Sequence, residues 1–118
     1  MNKILLAEKD FSTIFQLENI LEKAHIDFEF AGSATEAAEL FEEENFKLAI
    51  IGTLDAVNEK FSAEKLLEKI GTAGTPTLIL LDNLGNEFKK IGRKNCDYLQ
   101  KPFSEKDLLA KIRGLVGN

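Results

Sequence analysis

The chain has 118 residues, of which 44% are hydrophobic and 30% charged, and its formal net charge is −5. That balance fits one folded domain with a single sizeable core, and it argues against non-specific nucleic-acid binding by this domain, since no basic stripe overrides it. A lone Cys96 excludes an intrachain disulfide and a thiolate metal cluster, and no apolar run approaches membrane-spanning length, so the cytoplasm is the expected compartment and no membrane contact is expected.

The segment "KILLA" (3–7) predicts a short apolar strand. Ile14, Leu17, Leu21 and Ala24 then recur at helical spacing, and Asp10 or Ser12 can cap that helix. His25 follows its end and predicts a surface position. "DFEFA" (27–31) alternates like a strand. In "SATE", Ser33 and Glu36 stand three apart, a capping-box pattern that opens a helix through Ala37, Leu40 and Phe41. The run Glu42-Glu43-Glu44 reads as the solvated end of that helix. Three adjacent side chains on a helix do not converge on one ion.

"KLAII" predicts a third strand, buried on both faces as in a helix-covered parallel sheet. In such sheets, ligands and chemistry lie beyond the carboxyl ends of the strands. Gly52 occupies that position on the third strand, without a side chain. A helix is expected from Ser62 to Ile70 with Leu66, Leu67 and Ile70 inward, ended by "GTAGTP". That segment is not a phosphate loop: it lacks the Gly-Lys-Ser/Thr ending and precedes a strand. "TLILL" (77–81) is the fourth strand, a weak helix follows around Glu87 to Ile91, and "DYLQ" (97–100) is a short fifth strand. Cys96 reads as a small, half-buried residue where that strand starts. Ser104, with Asp107 at the third helical position, caps a last helix with Leu108, Leu109, Ile112, Leu115 and Val116 as its apolar face. The nine phenylalanines read mostly as packing residues, and any that is exposed would mark a partner patch.

The order is five strands alternating with five helices, hence a doubly wound, three-layer α/β domain spanning residues 1–118 with a five-stranded parallel sheet. The segments "KILLAEKDFS", "FEFAGSATEAAELFEEENFKLAIIG" and "CDYLQKPFSEKDLLAKI" resemble the receiver domain of bacterial two-component response regulators, a flavodoxin-like fold. The resemblance covers the whole chain. It implies phosphorelay signal transduction, in which receivers transfer a phosphoryl group onto one of their own aspartates. The family's site has an acceptor aspartate after the third strand, two acidic metal ligands after the first, a hydroxyl residue ending the fourth and a lysine after the fifth. The metal and lysine neutralise phosphoryl charge while the carboxylate attacks.

Carried onto this chain, the site departs from that pattern at most positions. Gly52 stands at the acceptor position, Glu8 and Lys9 at the acidic pair, and Leu81 at the hydroxyl position; Lys101 and Pro102 are retained, and Tyr98 holds the aromatic switch position. The expected function is therefore a pseudo-receiver: a phosphorylation-independent protein–protein interaction module, not an enzyme, with no metal and no cofactor. Two alternatives stand beside it. One is a working receiver with a non-standard acceptor, Asp55 or Asp82. The other is an α/β domain binding a small ligand over the strand ends. In the residual pocket formed by Glu8, Lys9, Asp10, Asp82 and Lys101, the lysine is expected to pair with Glu8, Asp10 or Asp82, because two converging ammonium groups need an intervening anion. The family uses the face of its fourth helix, fifth strand and fifth helix for dimer and partner contacts. Here Lys89, Lys90, Arg93, Lys94 and Tyr98 would present that face to an acidic partner or to a second copy of the chain.

Overall fold

The computed structural model describes residues 3–52, 54, 63–81 and 95–117. Strand β1 (Lys3–Ala7) leads into helix α1 (Phe11–Lys23), β2 (Phe28–Ala31), α2 (Ala34–Glu43), β3 (Phe46–Ile51) and α3 (Ala63–Thr72), then β4 (Thr77–Leu81), β5 (Cys96–Gln100) and α4 (Glu105–Val116). All strand pairings are parallel, in the order β2-β1-β3-β4-β5. Four helices lie among the described residues. The helix expected around 87–91, the basic cluster Lys89, Lys90, Arg93 and Lys94, and the carboxylates of Asp55 and Asp82 lie outside them.

Alternation along the strands sorts the core into two faces. Ile4, Leu6, Ile50, Leu78, Leu80 and Leu99 pack against Leu17, Ile20 and Leu21 of α1 and Leu108 and Ile112 of α4. Leu5, Ala7, Ala49, Ile51 and Ile79 pack on the other face against α2 and α3. Small residues line α2 there (Ala34, Ala37, Ala38), while α3 inserts Leu66, Leu67 and Ile70. The register between β1 and β3 shifts at Lys3/Ile4, with Lys3 opposite Phe46 and Ile4 opposite Leu48. Lys47 is the extra residue, which explains why Phe46 and Leu48 belong to opposite faces.

The helix ends follow their sequence signals with two adjustments. The Asp10 side chain accepts from Thr13 N–H and caps α1; Ser33 and Ser104 cap α2 and α4 in the same way, from Glu36 N–H and Asp107 N–H. Glu36, however, reaches back to Gly32 N–H at 2.9 Å and not to the cap residue itself. The second adjustment concerns α1, whose buried face is Thr13, Leu17, Ile20 and Leu21. Ile14 is only half-buried and Ala24 is the C-cap residue, so the apolar stripe runs about one position off the expected one. His25 is exposed, with φ 59°. Its N–H donates to Glu22 C=O while Ile26 N–H donates to Leu21 C=O, closing α1 with a Schellman motif.

Candidate functional site: a filled pocket at the strand ends

Because every strand is parallel, the residues that follow β1, β3 and β5 emerge on one edge of the sheet. Those residues are Glu8, Gly52 and Lys101. Backbone bonds fix their positions: Gly52 N–H donates to Ala7 C=O at 2.7 Å, Glu8 N–H to Ala31 C=O at 3.3 Å, and Lys101 N–H to Leu81 C=O at 2.8 Å.

The Glu8 side chain folds across Gly52. A Cβ at position 52 would lie 1.8 Å from Glu8 Oε1 and 2.7 Å from its Cδ, so any side chain there competes for the space the carboxylate uses. Glu8 is 1% exposed and Lys101 is buried beside it. Lys101 Nζ meets Glu8 Oε1 at 3.0 Å. The other oxygen, Oε2, accepts from Lys9 N–H at 3.0 Å and Asp10 N–H at 2.9 Å. Both oxygens are thus engaged, one by an ammonium and one by two backbone amides, which meets the condition under which a buried carboxylate is tolerated. Of the carboxylates expected to compete for Lys101, Glu8 pairs with it and Asp82 lies outside the described residues.

Asp10 is turned to a different task. Its Oδ2 accepts from Thr13 Oγ1 at 2.6 Å, Ser12 Oγ at 3.1 Å and Thr13 N–H at 3.2 Å. The hydroxyls of Thr13 and Ser12, and more weakly the charge of Lys101, hold its carboxyl below the ordinary aspartate value. Lys9 is exposed. Leu81 is half-buried and packs with Tyr98 against the α2–α3 face of the core. Tyr98 is half-buried, and its backbone N–H donates to Asp97 Oδ1 at 2.8 Å. The turn after β5 carries a cis Lys101–Pro102 bond, and its Phe103 C=O accepts from Gln16 of α1 at 2.8 Å.

This donor set does not fit the divalent cation that a receiver's chemistry requires. Such an ion takes oxygen ligands. The two oxygens of Glu8 already serve Lys101 and two amides, Asp10 serves the cap of α1, Gly52 offers no side chain, and position 9 contributes a cation. Among the described residues, no three His, Cys, Asp or Glu side chains are grouped to hold a metal.

Two features were missed by sequence reasoning. Phe11, Phe15 and Phe30 are exposed, at 86%, 68% and 39%, and the first two stand one turn apart on α1. Their spacing was visible, since neither falls on the apolar stripe that packs inward. The reach of Glu8 over Gly52 was not, because side-chain direction beyond a strand end has no periodic signal.

No family model matches the chain. In sequence it is 26% identical, over 98% of its own length, to a CpxR homolog, a transcriptional regulatory protein of Haemophilus influenzae, and 27% identical over 98% of its length to CpxR of Escherichia coli. The chain spans about half the length of these curated relatives, 51% and 50% respectively. In structure it resembles the receiver domain of a sensor histidine kinase from Pseudomonas aeruginosa, with a TM-score of 0.83 at 18% identity, covering 99% of this chain and 98% of that one. That domain carries a magnesium ion coordinated in its active-site cleft. It also resembles the signal receiver domain of an HD domain-containing protein from Pseudomonas fluorescens, with a TM-score of 0.82 at 23% identity over 98% and 94% of the two chains. Parallel order β2-β1-β3-β4-β5, a buried acidic residue after β1, a lysine after β5 and these likenesses converge: the chain has the flavodoxin-like receiver fold of two-component response regulators.

Proposed function

We propose that this chain is a pseudo-receiver, a domain of two-component signalling that binds a protein partner without taking up a phosphoryl group. One observation carries the reading. The space over Gly52, where a receiver's acceptor carboxylate would be, is occupied by the carboxylate of Glu8, already paired with Lys101. Among the described residues, a phosphoryl group arriving there would find no carboxylate at the acceptor position, no oxygen ligands suited to a metal, and Leu81 where a hydroxyl should receive its oxygen.

The interaction role is supported by the surface of α1. Phe11 and Phe15 expose two aromatic rings on one face of a helix that starts four residues after β1. Exposed aromatic pairs of this kind are uncommon on surfaces that stay in water and are frequent in partner contacts. The test is incubation with acetyl phosphate and magnesium chloride, followed by intact mass, with a working receiver treated in parallel. The expected spectrum shows the unmodified mass only. A stoichiometric gain of one phosphoryl mass would overturn the proposal.

A further inference from the structure

We infer that the ends of β1, β3 and β5 form a binding site for a small carboxylate, and that Glu8 is its tethered ligand. This rests on the proposed reading that the pocket is filled from within. The groups that recognise the carboxylate are not part of the Glu8 side chain. They are the Lys101 ammonium on Oε1 and the backbone N–H groups of Lys9 and Asp10 on Oε2. One cation and two amides, presented to the two oxygens of one planar anion, form a complementary set for a monocarboxylate. The site is almost closed to water, with Glu8 1% exposed, so each of these bonds is stronger than on the surface.

Gly52 completes the site by its lack of a Cβ. The nearest atom of Glu8 would lie 1.8 Å from a Cβ there, and it belongs to the oxygen that Lys101 holds. A side chain at position 52 would displace the same oxygen that Lys101 holds. Positions 8 and 52 therefore compete to supply the carboxylate that Lys101 holds.

The site can be emptied and refilled. Glu8→Ala removes the ligand and leaves a space shaped for acetate. Thermal denaturation is followed in sodium acetate, with sodium chloride at equal ionic strength and with acetamide as the neutral isostere. Acetate should raise the melting temperature of E8A saturably, whereas chloride and acetamide should not, and the wild-type chain should not respond. In a second arm, Asp is placed at position 52 of the same variant (E8A/G52D). It should recover at least half of the melting temperature lost by E8A, while G52D alone, with two carboxylates for one site, should be less stable than wild type. The inference is overturned if a folded E8A fails either arm, or if acetate stabilises wild type as strongly as E8A. Should E8A not fold, the double variant decides alone: folding of E8A/G52D supports the site, and its failure overturns it. No phosphoryl donor is present in either arm, so a wild-type chain that accepts phosphoryl groups would refute the proposed function and leave these results readable.

Discussion

Replacing Lys101 with Met removes an ammonium while keeping most of the stem that packs beside it. The Glu8 carboxylate, 1% exposed, then keeps its two backbone donors and loses its cation. Breaking a buried ion pair by removing one partner costs about 3–5 kcal/mol, and the retained amide bonds argue for the lower end, about 3 kcal/mol. A chain of 118 residues has an unfolding entropy of about 0.25 kcal/mol/K near its midpoint, so that loss corresponds to a fall in Tm of about 12 °C. Circular dichroism melts of wild type, K101M, E8Q and E8Q/K101M complete the cycle. Removing both charges leaves neither one stranded, so the double variant should lose clearly less than the sum of the two singles. A K101M shift below about 4 °C, or strict additivity in the cycle, would mean that the pair is a contact without energetic weight.

Four further outcomes follow from the same geometry. Gly52→Asp alone should gain no phosphoryl mass from acetyl phosphate and magnesium, because Glu8 occupies the space its carboxylate needs and Leu81 remains in place of a hydroxyl; intact mass decides. Asp10→Ala should cost about 1 kcal/mol through loss of the α1 cap, seen as a lower denaturation midpoint. The lowered folded-state value of Asp10 means its contribution is present above about pH 4, the unfolded value, and is lost as pH falls through the folded one. Carboxyl NMR titration should show Thr13→Val moving the Asp10 midpoint upward, and an unmoved midpoint would refute that cause. Phe11→Ser with Phe15→Ser should leave Tm within about 2 °C, as for exposed positions, while weakening association with a protein partner measured by titration calorimetry.

Much of the fold could be read from the sequence because its signals are local. β1 and β4 fall on the expected residues, since "KILLA" and "TLILL" are uninterrupted apolar runs. Ser33 and Ser104 cap where the acidic residues at the third helical position, Glu36 and Asp107, said they would. The stripe of α1 was read one position off because Ile14 and Ile20 compete as apolar neighbours of Leu17. The sheet settles the choice by burying Ile20, with Thr13 taking the turn above. At the site, sequence sufficed to place Gly52 directly after β3 and to offer a choice of anions for Lys101. It could not choose Glu8 over Asp10, because that depends on where two side chains point after a strand ends. Asp10 was claimed by the helix cap, and Glu8 was left facing the glycine.

On the proposed reading, the engagement of both Glu8 oxygens has a consequence for how a pathway could use the domain. A covalent mark lets a signalling protein store a past event, and the lifetime of the mark sets how long the event is remembered. A pocket whose anion is part of the chain holds no such record. Occupancy of its partner would then follow only the two concentrations and the dissociation constant, so a cell would end the signal by diluting or degrading the protein and would restart it by synthesis. Such control runs at the tempo of gene expression, much slower than a phosphatase.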